Sequence, residues 1–106
     1  MKKFIGIDIG GSFIKYGLLD ETGTILQKKK RPTDRNDPKQ VLTQLATIIS
    51  EESNGQTIAG VGISLPGIID PDEHLLTSGA LTDLYQYDVQ QILTEKTGQK
   101  IKLVND

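Results

Sequence analysis

The chain has 106 residues, of which 36% are hydrophobic, and its formal net charge is −2 at pH 7. This length fits one small domain with a modest core, and the evenly spread charge gives no electrostatic reason to expect a nucleic-acid partner. Without cysteine the chain forms neither a disulfide framework nor a thiolate metal site. No apolar run approaches the roughly 20 residues that span a bilayer, and Asp8 interrupts the apolar start too early for a signal peptide. We therefore expect a soluble, cytoplasmic domain with no membrane partner.

Three strand-like runs open the chain: Phe4–Ile9, Phe13–Leu19 and Ile25–Lys30. A Gly-Gly-Ser turn joins the first two and a Glu-Thr-Gly turn joins the last two. Such short connections predict an antiparallel meander. The basic run Lys28–Arg31 is typical of a solvated edge strand, because lysines discourage pairing with other chains.

A helix is predicted after the polar loop Pro32–Asp37. Asp37 is a suitable N-cap, Pro38 suits the first helical position, and Gln40 stands where a capping box places it. Gly55 is a natural stop. Apolar residues recur at helical spacing in between, at Val41, Leu42, Leu45, Ile48 and Ile49.

The second half predicts a buried strand at 58–65, a small hairpin at 68–77, a helix at 88–98 and a strand at 101–104. The two later strands follow helices, so they can join the meander in parallel. The order βββαβαβ thus predicts an α/β fold with a five-stranded mixed sheet and helices on its faces. Such a sheet offers a ligand crevice at the carboxyl ends of its strands. His74, the one histidine, is expected on the surface and not as a ligand.

The stretch around the first turn carries the clearest chemical signal. Asp8 ends a strand and Gly10, Gly11 and Ser12 follow it. Glycines let backbone N–H groups approach phosphate oxygens, Ser12 adds a hydroxyl donor, and Asp8 can hold Mg²⁺ through water. Taken alone, Gly-Gly-Ser is also an ordinary hairpin turn. A Walker A loop and a dinucleotide fingerprint are both absent from the sequence.

Three motifs in order resemble those of the ROK family of sugar kinases and sugar-responsive repressors. They are Asp8–Ser12, Gly60–Pro71 and Val104–Asp106. The resemblance covers nearly the whole chain and implies a ribonuclease H-like (actin-like ATPase) lobe. One region departs from the family pattern. Sugar-binding members often carry an asparagine and a tryptophan near Ser78 to Val89, whereas this sequence has a Gly-Ala-Leu variant at Ser78–Tyr85. This departure leaves the identity of the sugar open.

The resemblance implies ATP and Mg²⁺ as cofactors and a sugar as substrate. Asp8, Gly10, Gly11 and Ser12 correspond to the ATP-phosphate and magnesium site, whereas Lys15 is expected to face solvent. Asp106 corresponds to the catalytic base that accepts the proton of the sugar hydroxyl. The residues implied to bind the sugar are Pro66, Gly67, Gly79, Ala80, Asn105 and Asp106.

Residues 1–106 then form the N-terminal lobe, and the family's second lobe is missing. That lobe carries the adenosine pocket and often a zinc site, and family members commonly form homodimers through it. Because catalysis needs a closed cleft between lobes, we expect these 106 residues alone to be inactive. Two alternatives stay open: a sugar-sensing transcriptional regulator of the same family without its DNA-binding domain, and an actin-like nucleotide-binding protein that serves assembly or chaperoning.

Overall fold

The structure, a computed structural model, describes residues 2–105. Its strands are β1 (Lys3–Ile9), β2 (Phe13–Asp20), β3 (Ile25–Pro32), β4 (Gly60–Leu65), β5 (Ile68–Ile69), β6 (Leu75–Thr77) and β7 (Ile101–Asn105). Its helices are α1 (Pro38–Glu52) and α2 (Val89–Thr97), with a 3₁₀ turn at Leu84–Gln86. The predicted order βββαβαβ is confirmed, with the β5–β6 hairpin inserted before α2. No helix in the described part is long and apolar enough to cross a membrane.

Five strands form one mixed sheet in the order β3-β2-β1-β4-β7. The meander β1–β3 is antiparallel as predicted, whereas β1, β4 and β7 are parallel. The register pairs Asp8 with Ser64 and Leu65 with Asn105. The carboxyl ends of the three parallel strands therefore meet at one edge of the sheet, together with the end of β3, where Pro32 pairs with Phe13.

Helix α1 begins as its sequence predicts but ends earlier. The Asp37 carboxylate accepts hydrogen bonds from the amides of Lys39 (3.1 Å) and Gln40 (3.3 Å). The reciprocal half of the predicted capping box does not form, because the Asp37 N–H donates to the Asp34 carbonyl at 3.1 Å. The helix ends at Glu52, and Gly55 adopts its left-handed conformation (φ 75°) in the turn beyond.

Helix α2 matches its predicted boundaries closely. The Asp88 carboxylate accepts from the Gln91 amide at 3.3 Å, and Gly98 closes the helix in a left-handed conformation with its N–H on the Thr94 carbonyl (2.9 Å). Both ends are thus fixed by local side-chain and backbone chemistry.

The hydrophobic core lies between one face of the sheet and the two helices. Alternate residues of the strands point into it, and α1 and α2 pack against each other on this side. The two predicted helices flank the sheet, and both lie on this one face. Each crossover connects parallel strands and moves in the same direction across the sheet, so right-handed connections bring both helices to the same face.

Strand β3 is an edge strand, as its basic run predicts, but that run is not simply solvated. Lys29 Nζ contacts Glu52 Oε2 at 2.9 Å, and Arg31 Nη2 contacts Glu51 Oε1 at 2.9 Å. The Glu52 hydrogen bond raises the pKa of Lys29 above its ordinary 10.5. The pairs fasten the end of α1 to the edge of the sheet.

Candidate functional site

The phosphate loop predicted at Gly10–Ser12 lies at the carboxyl edge of the sheet, between β1 and β2. The Gly10 N–H donates to the Phe13 carbonyl at 2.8 Å, so this amide serves the turn. The amides of Gly11 and Ser12 donate to no group among residues 2–105. The donors left for an anion are therefore these two amides and the exposed Ser12 hydroxyl. Asp8, the predicted magnesium-proximal residue, is exposed at the end of β1.

Thr33, which the sequence motifs do not single out, holds this loop in place. Its N–H donates to the Ser12 carbonyl and its Oγ1 donates to the Gly10 carbonyl, each at 2.9 Å. The signal that points to Thr33 is the register of the meander: since Pro32 pairs with Phe13, the next residue falls beside the loop.

The loop at Pro66–Gly67 follows β4 and contacts the strand end of the β5–β6 hairpin. Gly67 has φ 108°, and a Cβ there would lie 2.6 Å from the Thr77 carbonyl carbon and 3.0 Å from Ser78 Cα. Gly79 (φ 52°) faces the same loop, because a Cβ on it would lie 3.2 Å from Pro66 Cβ. The structure therefore brings these two predicted sugar-binding segments together.

The segment 78–82 is anchored by a buried serine. Ser78 Oγ donates to the Leu81 carbonyl at 2.5 Å and accepts from the Tyr85 amide at 3.3 Å. These two bonds satisfy its hydroxyl, and Gly79 and Ala80 lie at the surface. A buried, fully bonded hydroxyl stabilises one conformation of such a loop.

The phosphate loop and this segment touch each other. A Cβ on Gly11 would lie 3.0 Å from Ala80 Cβ, so glycine allows this close approach. The loop after β3 also reaches across, since Thr82 N–H donates to the Arg35 carbonyl (2.8 Å) and Thr82 Oγ1 bonds to Asn36 Oδ1 (3.1 Å). Four loops from different parts of the chain therefore form one continuous surface.

Asn105 completes the described part of this edge. It is the last residue of β7, is exposed, and pairs with Leu65 directly before Pro66. Asp106, the predicted catalytic base, lies outside the described residues, and its role stays a prediction. Lys15 is exposed on β2, as expected.

His74 is exposed on the turn of the β5–β6 hairpin, in agreement with its predicted surface position. Its Nδ1 lies 3.5 Å from Asp70 Oδ2, and its Nε2 lies 3.8 Å from Asp88 Oδ2. The amides of His74 and Asp72 donate to Asp70 Oδ1, each at 2.9 Å. The hydrogen bond from the His74 amide is the main reason why the pKa of Asp70 lies below its ordinary 3.8. The Asp72 amide lowers this pKa further, and partial desolvation of the carboxylate opposes the shift.

Comparison with known proteins gives a consistent result. The profile of the ROK family matches residues 4–106. A glucokinase from Thermotoga maritima is 36% identical over an alignment of 106 positions, which covers 98% of this chain and 33% of that protein. The structure of an inorganic polyphosphate/ATP-glucomannokinase from Arthrobacter sp. strain KM superposes with a TM-score of 0.85 at 30% identity, over 100% of this chain and 45% of that one.

A ROK family glucokinase from Streptomyces griseus, solved in complex with glucose and AMPPNP, gives a TM-score of 0.85 at 25% identity, over 97% of this chain and 33% of that one. These likenesses confirm the predicted ribonuclease H-like (actin-like ATPase) fold with its five-stranded mixed sheet. The chain spans about a third of the length of the curated relatives it matches.

Proposed function

Since this chain belongs to the ROK family, we propose that it forms the N-terminal lobe of an ATP-dependent sugar kinase. Its substrate is a hexose or an N-acetylhexosamine. The observation that carries the proposal is the contact between the phosphate loop and the segment after the hairpin, where a Cβ on Gly11 would lie 3.0 Å from Ala80 Cβ. A phosphoryl donor held over one segment and a sugar held over the other are then direct neighbours, which is the geometry that phosphoryl transfer requires.

The phosphate loop fits a bound triphosphate. A Cβ on Gly10 would lie 3.2 Å from the Phe13 carbonyl oxygen, so the absence of side chains keeps the turn compact. The Gly11 and Ser12 amides are available to phosphate oxygens. Mg²⁺ near Asp8, when bound, supplies positive charge that neutralises the phosphoryl oxygens. The names of the relatives, a glucokinase and a glucomannokinase, support glucose and similar hexoses as the first substrates to test.

Asp106 is the proposed general base. It accepts the proton of the sugar hydroxyl, and Asn105, Pro66–Gly67 and Gly79–Ala80 position the ring. A base of this kind contributes on the order of 10²–10⁴-fold to the rate. The zinc site and the homodimer that the resemblance implies belong to the second lobe and stay predictions.

The test is sugar-dependent release of ADP by the protein that carries both lobes, measured on a panel of glucose, mannose, β-glucosides and N-acetylhexosamines. Asp106→Asn is expected to lower kcat at least about 100-fold with sugar affinity nearly unchanged. Asp72→Asn, an exposed carboxylate in the hairpin turn, is the matched control and leaves kcat unchanged.

Unchanged kcat in Asp106→Asn refutes the assignment of the base. Sugar binding without turnover in the unaltered two-lobe protein favours the sugar-sensing regulator instead. The 106 residues alone are expected to show no phosphorylation, and turnover by them contradicts the need for a second lobe.

A further inference from the structure

The loop between β3 and α1 lines an open hollow of about 650 Å³ beside the phosphate loop. The loop is fixed at two points. Thr33 is bonded to Gly10 and Ser12, and the Arg35 carbonyl accepts from Thr82. The backbone position of Arg35 is therefore set by the same hydrogen bonds that shape the candidate site. The residues that line the hollow are Thr33, Asp34, Arg35, Asn36, Asp37 and Gln40.

The guanidinium of Arg35 reaches toward the phosphate loop. Its Nη1 lies 3.9 Å from the position that a Cβ on Gly11 would occupy. The side chain is exposed, and within residues 2–105 it forms no ion pair and donates no side-chain hydrogen bond. The nearby Asp37 carboxylate is already occupied in capping α1.

The other arginine of the chain shows the contrast. Arg31 Nη2 donates to Tyr16 Oη at 2.7 Å and to Glu51 Oε1 at 2.9 Å, so its charge is neutralised within the fold. Among the described residues, nothing occupies the Arg35 side-chain donors or the nearby amides of Gly11 and Ser12. A guanidinium beside free backbone amides suits phosphate, because its planar N–H groups bind two phosphate oxygens at once.

We propose that Arg35 is a phosphate-binding residue that contacts the terminal phosphoryl group of the donor above Gly11. The proposal deepens the proposed kinase function and rests on it. Because a single Cβ position on Gly11 would lie near both Ala80 Cβ and Arg35 Nη1, the guanidinium is placed near the group in transfer and not near the distant part of the donor. Loss of the Arg35 guanidinium should therefore weaken the binding of a bare polyphosphate chain as well as that of a nucleotide.

The experiment measures binding of tripolyphosphate to the 106-residue chain by calorimetry at fixed ionic strength. Amide shifts of Gly10, Gly11 and Ser12 are followed in parallel. Arg35→Gln is expected to weaken binding about five- to ten-fold, a modest loss for an exposed charge-assisted contact. Arg35→Lys restores part of it, since charge returns without the planar fork. Lys39→Gln, which removes the same charge from an exposed position in α1, is the matched control and changes binding less than two-fold.

Equal losses in Arg35→Gln and Lys39→Gln mean that only net charge matters, and they overturn the proposal. Unchanged binding in Arg35→Gln also overturns it but leaves the phosphate loop assignment intact, provided that the Gly11 and Ser12 amides still shift. If the unaltered chain binds no tripolyphosphate, both assignments fail together. Thermal denaturation of Arg35→Gln is expected to match the unaltered chain, which separates a lost ligand contact from a lost fold.

Discussion

Replacement of Gly67 by alanine tests whether the loop after β4 depends on the close approach of two backbones. Gly67 has φ 108°, and a Cβ on it would overlap the carbonyl group of Thr77. Two separate costs follow. The backbone conformation costs about 1–2 kcal/mol for a residue with a side chain, and the overlap with a neighbouring strand costs about 1–3 kcal/mol more. We expect Gly67→Ala to lose about 2–5 kcal/mol of unfolding free energy.

Two other glycines separate these costs. Gly23 has φ 87° but open space around its Cβ position, so Gly23→Ala is expected to lose only the conformational part, about 1–2 kcal/mol. Gly62 lies in β4 with no atom within 4 Å of its Cβ position and no positive φ. Gly62→Ala is expected to be neutral or to stabilise by up to about 1 kcal/mol, because alanine restricts the unfolded chain.

The assay is urea denaturation followed by far-UV circular dichroism. With a slope of about 1–3 kcal/mol per molar for a small domain, a loss of about 3 kcal/mol lowers the midpoint by roughly 1–3 M. A loss in Gly67→Ala no larger than that in Gly23→Ala refutes the argument from close approach. A large loss of unfolding free energy in Gly62→Ala refutes the expectation that this position accepts a methyl group without cost.

The remaining predictions concern the α1 cap and the hairpin turn. Asp37→Ala removes the acceptor for the amides of Lys39 and Gln40. It is expected to lower the unfolding free energy, measured by urea denaturation, by about 1 kcal/mol. Asp34 is exposed in the same loop, so Asp34→Ala is the control, and an equal loss in that variant contradicts a specific capping role for Asp37. Asp70 has a folded-state pKa below 3.8, so its ionised form stabilises the fold above about pH 4. Asp70→Ala is therefore expected to lower the melting temperature at pH 7, and its deficit relative to the unaltered chain should vanish as the pH falls through the folded pKa. A deficit that grows toward low pH has the wrong sign and contradicts the carboxylate's part in this turn.

Local chemistry made much of the fold predictable. The caps at Asp88 and Gly98 are signals within one turn of the helix they end, and the short turns of the meander leave little choice of pairing. The candidate site residues at Gly11, Pro66 and Asn105 stand at strand ends, so a parallel sheet brings them to one edge regardless of small errors in strand length.

The loop after β3 was not predictable in the same way. Thr33 and Arg35 come beside the phosphate loop only through the β2–β3 register, and that register shifts at Leu18/Leu19. A polar loop also looks the same in sequence whether it is solvated or bonded to a neighbouring turn. By contrast, the position of both helices on one face of the sheet follows from the right-handed crossover rule once the strand order is known.

The parallel pairing of β1 with β4 and of β4 with β7 has a consequence for folding. Phe4 pairs with Gly60, and Val61 pairs with Ile101, so the chain must close long loops before these contacts form, whereas the meander closes short ones. The loops at the carboxyl edge lie together in the folded chain, where these pairings are complete. A ligand bound across them thus recognises the native state alone, and its concentration raises the melting temperature of the whole domain by mass action. The rise in melting temperature with added sugar or phosphate consequently measures ligand binding at this edge of the sheet, without any need for turnover.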